Sequence, residues 1–347
     1  MENTNKEDKE DQVEILNSYD NTDELSKEFQ IVNKTSIEPG IETKIQNRLL
    51  TGFANWNRGI KAWKKWGNIL YTQDSIYNVH GARLTLSQYQ ASMNAALSKV
   101  QIFMGNFNNM LIIGNWTAIF YDVTTKVGPK EIYTRVMEFV LFKDYGEELG
   151  TRVVEGWGGT KDHTYDNMLL FQGEKEKEIQ KQQTDEILNY KIPDFPELEK
   201  KYPVKNPTPD KGKFGKEIRD IIFKGIDSWN QNLDEWTKWV NDVYTNDADI
   251  QSLIYKKRTV SKYIDEMKEL CKTNKIRKLF FDNIMIDDTW AAIHYRYTKE
   301  DLSKEGDIYV GDRMLFLKFI CYIRIFSYCF PSFIFLYKNN IIFIFFN

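Results

Sequence analysis

Cysteine is scarce: three in 347 residues, Cys271, Cys321 and Cys329. They form neither a metal-ligand spacing nor an even set, which excludes a disulfide-stapled secreted scaffold and points to a reducing compartment. A basic excess is missing as well. The net charge is −3 and the lysines are scattered among acids, so nothing resembles the basic stripe that neutralises phosphates, and nucleic acid is not an expected partner. The opening MENTNKEDKEDQ lacks the apolar segment of a secretory signal. There is no Gly-rich phosphate loop, no metal-spaced His cluster and no Ser–His–Asp pattern. Cofactor-free chemistry or plain binding in the cytosol is what these absences leave, with no cofactor and no metal expected.

Proline is thinly spread, and five of the eight fall between Pro193 and Pro209. They end a charged run that begins near residue 172, which reads as a linker, charged first and then stiffened. Residues 1–42 are rich in Asp, Glu, Lys, Asn and Ser, a composition that buries too little apolar surface to offset ordering entropy, and read as a disordered leader.

On either side of the linker the same passage occurs twice. WNRGIKAWKKWGNILYTQD from Trp56 returns as WNQNLDEWTKWVNDVYTND from Trp229. Trp63, Trp66, Asn68, Tyr71, Thr72 and Asp74 correspond to Trp236, Trp239, Asn241, Tyr244, Thr245 and Asp247. Thr85, Tyr89 and Met93 correspond to Thr259, Tyr263 and Met267, and Trp116 to Trp290 with one residue of drift. Such agreement implies two copies of one domain. The boundaries expected are 1–42 leader, 43–171 first domain, 172–214 linker, 215–319 second domain and 320–347 tail.

Within a copy the periodicity changes in a fixed order. Apolar residues recur at three- and four-residue steps in KIQNRLLTGFANW, in IKAWKKWGNILY after Gly59, and in SQYQASMNAALSKV, giving three helices. From Ile102 four segments rich in β-branched and aromatic residues follow, separated by turn signals, giving four strands. Helices followed by strands define an α+β class, here two tandem cone-shaped domains with three helices packed on a curved, antiparallel-rich sheet. The mouth of such a cone suits a small molecule.

This order of elements resembles the nuclear transport factor two-like cone fold, and more closely its SnoaL-like polyketide cyclase group. The likeness rests on YTQDSIYNVHG after the second helix and on FVLFKDYGEELGTRVVEGWGGTKD, where Phe142, Asp144, Gly146, Val154, Glu155, Trp157 and Asp162 fit the group's last hairpin. It spans about 49–165 fully and about 217–319 in part. The resemblance implies an acid–base carboxylate on or just beyond the last strand, hence Asp162 as base with Glu155 or His163 as helper and His80 at the mouth. The ketosteroid isomerase branch would place an Asp where Asn78 and Val79 stand, which disfavours that chemistry. The implied ligand is small and apolar or aromatic, and the reaction a cofactor-independent proton transfer of cyclase, isomerase or dehydratase type. The binding set expected is Trp56, Trp66, Tyr71, Trp116, Phe120 and Trp157, with Trp116 packing against the helices.

Each of these residues also has a plainer reading. Tryptophans at helical spacing are more often core than pocket, Tyr71 and Asp74 recur as a turn would, and GGTKDHTYD also reads as a solvated loop. If the two cones pair through their sheets, within one chain or between two copies, a non-catalytic scaffold is the alternative. Phe120 and Asp122 correspond in position to His294 and Arg296 of the other copy, so the two cavities would not run one reaction.

After DRMLFLKF the second copy departs. The strand that should carry Glu and Trp is missing, which leaves an incomplete second cone with an exposed sheet edge, a hazard for aggregation. The apolar run from Phe319 to Tyr337 is long enough to span a bilayer, but Arg324 and Pro331 interrupt it, and a central Arg costs about 2.5–3.5 kcal/mol on insertion. Its Phe, Ile, Tyr, Asn and Lys bias fits read-through into non-coding sequence better than an anchor; a membrane is a partner only if the tail is genuine.

Overall fold

The computed structural model describes residues 28–79, 82–98, 100–146, 150–159, 201–248, 250–252, 255–304, 308–320 and 340–345. The chain divides into two compact units, Met1–Lys181 and Gln182–Asn347. Both are α+β.

Unit 1 runs β1 (Ile31–Asn33), α1 (Ile41–Asn57), α2 (Ile60–Leu70), β2 (Tyr71–Val79), β3 (Ala82–Thr85), α3 (Leu86–Leu97), β4 (Gln101–Ile113), β5 (Trp116–Val127), β6 (Lys130–Asp144) and β7 (Thr151–Gly159). Gly59 breaks α1 from α2 at φ 105°, a left-handed conformation that a side chain would strain. Thr85 opens α3 with a capping box: its hydroxyl accepts from the Gln88 N–H, and the Gln88 amide oxygen accepts from the Thr85 N–H. The sheet order is β1-β4-β5-β6-β7-β2-β3. From β4 to β7 it is an antiparallel meander; β1 joins β4, and β2 joins β7, in parallel.

Unit 2 runs α4 (Gly215–Gln231), α5 (Leu233–Val243), β8 (Ile250–Ser252), β9 (Tyr255–Arg258), α6 (Val260–Thr273), β10 (Asn274–Asp287), β11 (Trp290–Asp301), β12 (Ile308–Ile320) and β13 (Asn340–Phe345). Its sheet order, β10-β11-β12-β13-β8-β9, is that of β4-β5-β6-β7-β2-β3.

The helices cover one face of each sheet, and repeated residues fasten them there. The Trp56 indole N–H donates to the Ile102 carbonyl (2.9 Å), and Trp229 does the same to Ile276 (3.0 Å). The next residue clamps a strand backbone twice over. Asn57 bonds both the N–H and the C=O of Met104 (2.8 and 2.9 Å), and Asn230 those of Lys278 (2.9 and 2.6 Å). Edge-on ring contacts extend the lock, from Trp56 to Trp63 to Tyr89 in unit 1 and from Trp229 to Trp236 to Tyr263 in unit 2. Gly52 and Gly225 sit mid-helix directly against the rings of Trp66 and Trp239, where a Cβ would collide. Glycine there weakens the helix by about 1 kcal/mol relative to alanine but admits the indole.

Three expectations are corrected. Residues 28–42 are not all disordered leader, since Phe29 is buried edge-on to Phe53 and β1 pairs with β4. From residue 201 the supposed linker belongs to unit 2: Val204 and Lys211 bridge to Phe281 and Asp287, and Thr208 donates to the Ile284 carbonyl as Thr35 does to Met110. The second sheet does not lack its closing strand. Asn340–Phe345 pairs with Leu315–Ile320 and reaches β8 through Ile344 and Gln251, a slot that an extended run fills through backbone hydrogen bonds. Residues 321–339, the heart of the apolar tail, lie outside the described residues, and among the described residues no helix is long and apolar enough to cross a membrane.

Candidate functional site

Strand alternation sorts the expected site residues onto two faces. In β5, Ile119, Tyr121 and Val123 pack with the helices, so Trp116, Ala118 and Phe120 turn to the opposite face. Trp116, expected against the helices, therefore lies away from them. It begins β5, opposite Ile113 and not Ile112, and stacks on Trp157 at 5.5 Å. Phe120 lies under the Arg135 guanidinium on that same outer face. In β7, Gly156 and Gly158 face the helices and leave room for the Tyr77 ring and hydroxyl, which a Cβ at either position would meet within 2.7 Å. Alternation then sends Glu155 and Trp157 outward.

Glu155 is thus not an interior helper base. Its carboxylate accepts from the Asn78 amide (3.1 Å) and pairs with Arg83 (3.7 Å), a partly exposed arrangement on the outer face. Asp162, His163 and His80 lie outside the described residues. Trp56 and Trp66 are core, the first spent on Ile102 and the second packed over Gly52. Tyr71 does face inward, edge-on to Trp66, and burial beside Glu138 pushes its phenol well above the ordinary range.

An acid on the helix-facing side of the unit 1 sheet, which sequence reasoning missed, is Glu138. It stands on β6 between Val136 and Val140, both helix-facing, and accepts hydrogen bonds from Tyr121 (2.7 Å) and Tyr77. Desolvation raises its carboxyl above the usual range, and the two phenols oppose that shift without cancelling it. The signal was available: a lone Glu at an inward position of RVMEFVLF breaks the apolar alternation.

Unit 2 carries a basic side chain on the helix-facing side of its sheet. Its helix-side face holds a cavity of about 50 Å³, walled by aliphatic side chains and by Trp236, Trp239, Tyr244, Tyr263, Phe281 and Tyr295. Lys278 lines it from β10, at the position clamped by Asn230. Its ammonium lies 4.5 Å from the Trp229 ring centre and 5.5 Å from that of Tyr295. Among the described residues no carboxylate pairs with it. Burial, with the Arg313 guanidinium adding, pushes the amine down to about 7. Desolvation raises the nearby Cys271 thiol. The frame matches unit 1, but Met104 stands where Lys278 does, so the interiors carry different chemistry on one scaffold. Among the described residues no cluster of His, Cys, Asp and Glu could hold a metal.

No protein-family profile matches the sequence and no curated protein matches it. Among solved structures, the chain is similar to a protein of Jannaschia sp. CCS1 described as a SnoaL-like polyketide cyclase, with 14% identity over 40% of this chain and 100% of that one, at a TM-score of 0.31. A ketosteroid isomerase-like protein of Erwinia carotovora atroseptica is 11% identical over 34% of this chain and 94% of its own, at 0.27. A protein with a ketosteroid isomerase-like fold from Catenulispora acidiphila is 14% identical over 32% and 82%, at 0.26.

Proposed function

We propose that this chain binds a small apolar or aromatic molecule in the helix-covered interior of a cone-like unit, and that the two units are copies of one ancestral domain. The observation that carries the binding reading is the helix-covered cavity of unit 2, whose aromatic side chains suit a flat apolar ligand. The duplicated order of strands and the paired Trp–Asn clamps support the tandem reading. Filling the cavity tests the function. Titration with 2-naphthol, followed by quenching of intrinsic tryptophan fluorescence, should show saturable binding. Ile293→Phe should weaken it by roughly tenfold or more while costing only about 1–3 kcal/mol of stability through overpacking. Unchanged affinity in that variant sinks the assignment.

Acid–base chemistry in unit 1 is a second reading, favoured by the inward carboxyl of Glu138 and its two phenol partners. A carboxyl raised by desolvation is suited to moving a proton α to a carbonyl. Asp162, with His163 and His80, remains the other proposed set. Exchange of the α-protons of 2-tetralone in D2O separates them. Glu138→Gln should slow catalysed exchange by about 10²–10⁴-fold if Glu138 is the base, and Asp162→Asn should do so if Asp162 is. Exchange by the wild-type protein at the buffer rate rejects both.

The outward Glu155 and the apolar outer face, with Ala118, Phe120, Met137 and Phe139, support the scaffold alternative, in which sheets pair within one chain or between two copies.

A further inference from the structure

Lys278 is out of place in an aromatic cavity unless the amine does something. A lysine in such a wall loses hydration, and among the described residues its ammonium meets the rings of Trp229 and Tyr295 in return. Among the described residues, the groups facing it offer no counter-charge. Arg313 approaches from β12, Cys271 from α6 and Tyr295 from β11, and of these only the guanidinium is charged at neutral pH. A guanidinium near the ammonium favours loss of a proton from the weaker of the two. Desolvation and a neighbouring cation are the two devices that make an amine nucleophilic. The backbone of Lys278 is held at both its N–H and its C=O by Asn230, so the side chain projects from a fixed point into the cavity.

We infer that Lys278 captures an apolar or aromatic aldehyde or ketone as an imine. This rests on the cavity of unit 2 being a binding site, as proposed above, and adds the ligand's reactive group. In the step, the lone pair of the neutral Nζ attacks the carbonyl carbon and a C–N bond forms. The carbonyl oxygen then leaves as water, carrying away both protons that the amine gives up, and no electrons are exchanged with any third party. The rings of Trp236, Tyr263 and Phe281 would hold the body of the ligand, while the amine holds its carbonyl carbon. The lowered amine value supports the step, since far more of Lys278 than of an ordinary lysine is unprotonated at neutral pH.

The test uses the full chain, 2-naphthaldehyde and cyanoborohydride at pH 7, with peptide mapping by mass spectrometry. The expected result is one naphthylmethyl adduct, at Lys278, forming roughly tenfold or more faster than at any other lysine. Lys278→Met and Lys278→Arg should both abolish it, and the arginine variant keeps the charge in case methionine alters packing. Labelling spread evenly over the lysines overturns the inference. If 2-naphthol, which has no carbonyl, binds the cavity while Lys278 stays unlabelled, the imine is wrong and the binding reading survives. If neither compound engages the cavity, both fall together.

Discussion

Replacing Lys278 by methionine is expected to stabilise unit 2 by roughly 2–4 kcal/mol below pH 7, an unusual gain for the loss of a charged residue. The folded amine sits near 7 and the unfolded one near 10.5. Below both values each state holds the proton, and the folded state carries the full cost of a charge in an aromatic cavity. Between them the unfolded chain binds the extra proton, so stability rises with pH through this window and levels off above about 10.5. One pKa unit corresponds to about 1.4 kcal/mol, and water reaching the partly exposed side chain reduces the total to the range given. Methionine already occupies the clamped position in unit 1, as Met104, so the shape fits the fold. Urea unfolding between pH 6 and 10 checks this: the wild-type transition should strengthen with pH and the variant's should not. A parallel pH dependence in the two proteins would mean that the amine is solvated and unperturbed.

Trp56→Ala should cost about 3–5 kcal/mol of unit 1 stability. The indole is buried against Trp63, and its N–H is the donor to the Ile102 carbonyl at the entry to β4. Removing it opens a cavity and leaves that carbonyl unpaired. Trp56→Phe separates the two effects, keeping most of the ring packing and losing only the donor, at about 1–3 kcal/mol. Affinity for 2-naphthol in the cavity of unit 2 should not change in either variant. Loss of ligand affinity without loss of stability would restore Trp56 to the binding set from which its hydrogen bond removes it.

Trp56 shows how a sequence signal can be read correctly and assigned wrongly. The repeated Trp–Asn pair was visible, but its meaning as a clamp depends on Ile102 and Met104, residues far along the chain that only the fold brings alongside. Gly52 and Gly225 were equally visible and look like helix weaknesses until an indole from the next helix lies over them. Helix and strand types could be read because 3.6- and 2-residue periods are written locally. The ends of the units could not be, because β1 and residues 201–212 are held by pairing to β4 and β10, and segments this short or proline-rich carry no periodicity of their own.

The face on which a strand residue lands separates the two kinds of knowledge most sharply. Sequence by itself carried the recurring Trp–Asn passage, the α+β class and the alternation along each strand, since all of these depend on near neighbours and composition. Only tertiary structure decided which parity of that alternation meets the helices. It turned Glu155, Trp116, Phe120 and Trp157 outward, turned Glu138 and Lys278 inward, and let Asn340–Phe345 close the second sheet. The reason is that a strand has two equivalent faces, and the choice between them is made by the register with its partners and by where the helices lie, neither of which is local to the strand.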